Sequence, residues 1–324
     1  MISYRLSLRN LVLFAAITIS LFSSGILLAE VTGLELLNSM RQKDQESNYV
    51  GYIVSFVAIM PSTMPPLYDP NQGMVAIECE FTYTGSAFAM KKTYNYEHPP
   101  VFSSDYQSLD YDKRGRLIVW RPVKMYILSN DEKNDLFEER SKFYVDSNRQ
   151  IESAGCGPAL QRYPVDMPYN THQFQVFKNA MGFGFSKHLG TISSSDTIST
   201  NQMKVVSRGS YGSALPGTWE LTIDSDSDNI VRNAVFKTDF LNRPSLVVTT
   251  NGIISKDTIK LAKNGSFHHM GSHYKANIEV TGISKVVGPN PLYEEVVSQI
   301  NSPLPPGAQI ADCRGKETII TTVE

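Results

Sequence analysis

Tyr49-Val-Gly-Tyr-Ile-Val-Ser-Phe-Val-Ala-Ile-Met60 carries no charge and no proline. Side chains alternate along a strand. Val50, Tyr52, Val54, Phe56 and Met60 therefore share one face, and Tyr49, Ile53, Val57 and Ile59 the other. Both faces are apolar, so both need cover. Just upstream, Leu34, Leu37 and Met40 recur at helical spacing. That helix is expected to rest on one face. The Val50, Tyr52, Val54, Phe56 face is expected to look into an apolar cavity. Phe88, Met90, Trp120 and Tyr126, on later strands, are expected to complete its lining. The rival reading is an ordinary packed core, since most large apolar side chains simply pack.

Upstream of this strand the chain reads as a targeting segment. Arg5 and Arg9 form a positive stretch, and Leu11 to Phe22 is an apolar run of signal-peptide length. Small residues at Ser23 and Gly25 suit cleavage after Gly25, and Ala29 offers a second site. An uncleaved anchor is the alternative, because residues 11–29 are long enough to span a bilayer. No cysteine follows the apolar run, so no lipoprotein signal is read. Residues 1–29 are assigned to the signal peptide. The roughly 295 that follow suffice for one large domain or two ordinary ones. The formal net charge of -2 argues against a nucleic-acid partner. Cys79, Cys156 and Cys313 are widely spaced and odd in number, and no CxxC pair supports a zinc or thioredoxin-type site. Their pairing stays open, with Cys79 on the apolar face of a strand.

Taken in order, Glu30 to Gln45 is a helix, and the strand above follows it. Residues 61–73 hold four prolines and read as a loop. Val75 to Tyr83 and Ala87 to Tyr96 form a hairpin with one wet face, and Lys92 is the one charge on its apolar side. Leu117 to Leu128 reads as a single strand interrupted at Pro122. Asn130 to Lys142 reads as a short charged helix, Phe143 to Ile151 is ambiguous, and Thr171 to Met181 is a short helix. Further strands are expected at Met203 to Ser207, Thr218 to Asp224, Ile230 to Phe240, Leu246 to Thr250, Ile253 to Leu261 and Tyr274 to Ile283. Asn251-Gly252 is the hairpin turn between two of them. Pro291 to Ile300 is a helix, and Thr318 to Val323 a last added strand. Strands in runs, not alternating with helices, exclude Rossmann and TIM folds. The expected class is mainly β: one large curved antiparallel sheet, a half-barrel, with an N-terminal helix and short helices covering one face.

The helix Leu34-Glu-Leu-Leu-Asn-Ser-Met40 followed by Asn48-Tyr-Val-Gly-Tyr52 resembles the opening of the periplasmic lipoprotein-carrier (LolA-like) fold. That fold is shared by the N-terminal domain of RseB-type regulators. The strand Val231 to Phe240 with Pro244 after it is similar to the family's later hairpins. The resemblance covers roughly residues 30–283. It implies a half-open sheet whose concave face binds acyl chains, and a periplasmic or secreted protein. Residues 30–287 are assigned to this domain. Residues 288–324, a helix, a proline-rich spacer and a terminal strand, have no counterpart in it.

No residue set specifies a reaction. His268, His269 and His273 are the densest imidazole cluster, but on a strand the first two face opposite ways. They are read as a polar loop, with zinc or copper as the rival. Asp224, Asp226 and Asp228 alternate like a calcium loop, yet Asn229 and Val235 replace its glycine and glutamate. The pattern reads as a solvated turn. Gly182-x-Gly184 completes no dinucleotide fingerprint, and no Gly-x-Ser-x-Gly elbow exists. The expectation is a non-enzymatic protein without a cofactor that binds a lipid or lipoprotein acyl chains. The alternatives are an envelope protein that binds a protein partner and, less favoured, a hydrolase with scattered residues.

Overall fold

The computed structural model describes residues 34–61, 74–85, 87–95, 108–111, 117–121, 124–129, 144–145, 151–152, 177–211, 215–240, 244–270, 275–312 and 319–324. Helix α1 spans residues 34–43. Asn48 ends it by donating from Nδ2 to the carbonyls of Gln42 and Lys43, at 2.7 and 3.1 Å. These are two of the carbonyls that a helix end leaves open. A single 3-10 turn, Glu46–Tyr49, leads into the first strand.

The strands are β1 Tyr52–Pro61, β2 Met74–Tyr83, β3 Phe88–Asn95, β4 Ser108–Tyr111, β5 Leu117–Arg121 and β6 Lys124–Ser129. A small hairpin pairs β7 Tyr144–Val145 with β8 Ile151–Glu152. There follow β9 Leu189–Ser199, β10 Gln202–Tyr211, β11 Leu215–Asp224, β12 Ile230–Thr238 and β13 Pro244–Asn251. The hairpin β14 Ile254–Lys256 and β15 Ile259–Leu261 comes next, then β16 Asn264–His269 and β17 Lys275–Lys285. Helix α2, Pro291–Asn301, is followed by β18 Gln309–Asp312 and β19 Ile319–Thr322.

Fifteen strands make one open sheet, in the order β19-β18-β4-β5-β6-β3-β2-β1-β17-β16-β13-β12-β11-β10-β9. Every joint is antiparallel except β18 to β4. The expected mainly-β sheet with few helices is what the chain forms. β1 lies between β2 and β17, as a strand apolar on both faces requires. Its register places Val54 opposite Phe81, Phe56 opposite Cys79 and Ala58 opposite Ile77. The next joint places Met90 opposite Phe81 and Lys92 opposite Cys79. Rows of apolar side chains thus run across the sheet on one face, here called inner. Shifts of register at Ser55/Phe56 and Thr222/Ile223 mark irregularities of the kind that bend and twist a sheet.

Each face has its own cover, although the outer one reaches only the Ile53 end of β1 and leaves Ile59 42% exposed. On the inner face Leu37 and Met40 of α1 join one core with Val54, Phe56, Phe81, Trp219 and Phe267. On the outer face Leu292, Val296 and Ile300 of α2 pack with Ala89, Tyr126 and Leu128, and Ile53 of β1 packs against them. The sequence reading sets α1 against the face opposite Phe56. The structure reverses this, because α2 takes the Ile53 side. Residues 288–324 are built onto the same sheet: α2 is capped by Asn290, whose Oδ1 accepts from the Tyr293 amide at 3.1 Å. Its Nδ2 donates to Thr82 Oγ1 of β2 at 2.7 Å.

Three expected elements differ. Leu117 to Leu128 is not one interrupted strand but the hairpin β5–β6, with Arg121 opposite Lys124. The chain reverses between Arg121 and Lys124 instead of continuing. Ile253 to Leu261 is likewise a hairpin, reversing at Asp257 with φ +52. Asn251 therefore pairs with Asn264, and Asn251-Gly252 opens an insertion instead of turning between sheet neighbours. Strands β9 and β16 are not expected at all. β9 is exposed on both sides along most of its length, so nothing forces apolar alternation on Leu-Gly-Thr-Ile-Ser-Ser-Ser-Asp-Thr-Ile-Ser. The expected helix at residues 130–142 lies outside the described residues, as do residues 1–33 with the signal segment.

Candidate ligand face

The inner face is built row by row. Val54, Phe81, Met90 and Ile127 form one row through β1, β2, β3 and β6, and all four are buried. The next row is Phe56, Cys79 and Lys92. Phe88 extends the surface through ring contacts with Phe81 and Tyr83, at 6.4 and 5.0 Å. These rows are covered by α1 and by residues 177–188, a strap that begins with a helical turn over 177–180.

The strap is held at every few residues. Phe177 meets Phe56 edge-on at 5.1 Å. The Ala262 amide donates to the Met181 carbonyl at 2.9 Å, and the Val231 amide to the Gly182 carbonyl at 3.2 Å. Gly182 and Gly184 have φ of +84 and +78, a backbone region open mainly to glycine. The Gly-x-Gly signal is therefore a bend, not a phosphate cradle. Asp44, just past the end of α1, accepts from the Gly184 and Ser186 amides at 2.7 and 2.9 Å. Farther along, His188 stacks on Trp219 at 5.7 Å, and its carbonyl accepts from the Ser210 amide at 3.1 Å. Beneath the strap Gly265 leaves no room for a Cβ, which would fall onto the Ala180 carbonyl oxygen.

The predicted lining residues divide. Val54, Phe56, Phe88 and Met90 are buried on the inner face. Val50 is at the rim, 39% exposed, and Tyr52 is half-buried. Tyr52 donates from its hydroxyl to Asp257 Oδ2 at 2.8 Å, tying β1 to the β14–β15 hairpin. Lys285 pairs with the same oxygen at 3.1 Å. Tyr126 stands on the outer face, opposite Lys91 in the ladder, with its hydroxyl 3.4 Å from Glu295 of α2. Adjacent strand positions alternate, and the β3–β6 register puts Tyr126 on the side away from Met90. Trp120 is paired in the backbone with Met125; its side chain lies outside the described residues.

Burial shifts the proton affinity of two titratable groups on this face. Lys92 is fully buried, with Nζ 5.8 Å from the centre of the Phe177 ring. Burial lowers it from 10.5 to about 8, against the raising effect of Cys79. Burial pushes the Cys79 thiol up to about 12. Elsewhere, His268 and His269 are successive residues of β16, so they point to opposite faces. Burial and then the neighbouring His268 lower His269. His273 lies outside the described residues, as do Cys156 and Cys313. Asp224 is bonded to Arg232 at 2.6 Å and accepts from the Ser227 amide at 3.1 Å; both Asp224 and Ser227 are buried, so Asp224 ties the turn from within instead of facing solvent as expected. The helical turn over 177–180 falls within the helix expected at Thr171 to Met181, but the Asp44 latch has no advance sign in the sequence, because it joins residues some 140 apart.

A scan against protein-family models finds no match, and a search of curated proteins finds none. Among solved structures, the chain is similar to a DUF1329 family protein from Desulfovibrio piger, with a TM-score of 0.44 and 10% identity over 82% of this chain and 96% of that one. It is also similar to a putative outer membrane lipoprotein-sorting protein domain from Vibrio parahaemolyticus, at 0.43 and 7% over 83% and 99%. A third is a LolA superfamily protein from Nitrosomonas europaea, at 0.39 and 8% over 80% and 94%.

Proposed function

We propose that this is an exported, non-enzymatic carrier that takes an apolar ligand, a lipid or the acyl chains of a lipoprotein, onto the inner face. The observation that carries the reading is the kind of cover this face has. Apolar rows across β1, β2, β3 and β6 lie under a helix and a strap that belong to no ladder of the large sheet. Lifting the strap off its hydrogen bonds to Asp44, Ala262, Val231 and Ser210 would expose Phe56 and Phe177 while those ladders stay paired. Binding then comes from apolar area, at about 25 cal/mol per Å² removed from water. In this reading residues 1–29 are removed on export to the periplasm or beyond, residues 30–287 carry the ligand, and residues 288–324 brace the outer face. Among the described residues, no helix is long and apolar enough to cross a membrane.

The test is uptake of cis-parinaric acid by protein purified without detergent. Saturable fluorescence near one ligand per chain is expected, and Asp44→Ala should speed uptake by releasing the strap. Absence of saturable uptake in both proteins would sink the proposal.

A second reading has one observation behind it. β9 ends the sheet, and among the described residues nothing pairs with its outer edge. Such an edge is a template for an added strand, as an envelope protein binding a partner would use. Crosslinking from Thr197→Cys to an envelope protein, lost when Ile198 is changed to Pro, would favour it.

A further inference from the structure

Lys92 of β3 interrupts the apolar side of its hairpin, and the fold buries it completely on the inner face. It stands opposite Cys79, in the row that Phe56 begins. Its Nζ lies 5.8 Å from the centre of the Phe177 ring, and the same ring meets Phe56 edge-on at 5.1 Å. Phe177 belongs to the strap, so one strap side chain covers both the ammonium and the apolar row beside it. Lifting the strap uncovers a cation and an apolar surface side by side.

The charged groups described nearby face other ways. Glu78 and Glu80 flank Cys79 on β2 but point to the outer face. There Glu78 accepts from Asn95 at 2.8 Å, and Glu80 pairs with Lys91 at 2.8 Å. Asp44 is bonded at the far end of the strap, to the Gly184 and Ser186 amides. The buried Asp224 is bonded to Arg232. Lys178 of the strap lies over Tyr83, 5.9 Å from the ring centre, four residues along β2 from Cys79. Burial lowers Lys92 to about 8, against the raising effect of Cys79. Whatever Lys92 touches, its charge is therefore held at a net cost, as functional sites often hold one. An anion brought by a ligand would favour the charged form; an uncharged ligand would not.

We propose that Lys92 selects the ligand of the inner face, a single-chain amphiphile with a carboxylate head: a fatty acid. Its carboxylate pairs with the Lys92 ammonium, and its chain replaces Phe177 on Phe56 and runs on over Phe81 and Val54. This rests on the carrier reading of the inner face and narrows it. Ester- or amide-linked acyl chains bring no charge and gain nothing from the ammonium. A phosphate monoester head brings a second negative charge, and a buried charge without a partner is costly. One ammonium beside an apolar row matches one carboxylate on one chain.

The experiment compares cis-parinaric acid with its methyl ester, which has the same chain and no charge. Both are titrated by fluorescence into the full protein, purified without detergent, and into Lys92→Met. The parent should bind the acid about tenfold tighter than the ester, the worth of one hydrogen-bonded charge. Lys92→Met should bind acid and ester alike, and the ester at least as well as the parent does. Retained ester binding shows that the variant is folded. By NMR, the Lys92 midpoint should rise from about 8 when the acid is bound and not when the ester is, a response that a merely structural lysine would not give. Equal affinity of the parent for acid and ester, or a preference for the acid that survives in Lys92→Met, overturns the proposal and leaves the carrier reading standing. Uptake of neither probe overturns the carrier reading and this proposal with it.

Discussion

Replacing Lys92 by methionine should make the protein more stable at neutral pH. The folded lysine gives up its proton near 8, and the unfolded one near 10.5. Below 8 both states are charged, and the folded state bears the whole cost of the buried charge. Between about 8 and 10.5 the unfolded state binds more protons, so stability rises with pH. The drop from 10.5 to about 8, at roughly 1.4 kcal/mol for each pKa unit, gives an upper estimate of about 3 kcal/mol at pH 7. Methionine has nearly the same shape and no charge, so Lys92→Met should recover most of that. At pH 9 the parent has already shed part of the cost, and the gap should shrink to about 2 kcal/mol. Urea unfolding of both proteins at pH 7 and pH 9 measures this directly. Cys79 is common to both and largely cancels. If Lys92→Met were less stable than the parent at pH 7, or if the gap did not change with pH, the reasoning would fail. The contacts of the ammonium, the Phe177 ring among them, would then outweigh its desolvation.

Two further outcomes follow from the covers. Gly265→Ala sets a methyl against the Ala180 carbonyl; it should loosen the strap, seen as faster hydrogen exchange at the Ala262 and Val231 amides, while the β11–β12 ladder keeps its protection. Leu292→Ala removes a buried side chain of α2 and should cost about 2–5 kcal/mol in urea unfolding; a near-zero change would show that residues 288–324 are a separate appendage.

Much of this fold is legible in the chain, for reasons that can be named. Alternation in β2, β3 and β11 follows from one wet face and one dry one, and a strand writes that difference into successive residues. The all-apolar β1 announces a central strand, since only a strand covered twice can dispense with polar side chains. Lys92 stands out because a charge breaks the period. The helix α2 shows through its spacing and its Asn290-Pro291 start. Other features are not legible. β9 escapes because an edge strand exposed on both faces needs no pattern, and β16 because a histidine pair looks polar whichever way it pairs. Which helix covers which side of β1 depends on residues almost 240 positions apart, and no local period carries that choice. The same holds for Tyr126, whose face is fixed by register with β3, and for the cavity at the end of α1, which exists only once α1 and the β14–β15 hairpin have docked. Sequence alone determined the central strands β1, β2, β3, β11, β12 and β17 and the apolar character of their inner face. Tertiary structure decided pairing order, cover and pocket, because those depend on contacts between segments far apart in the chain.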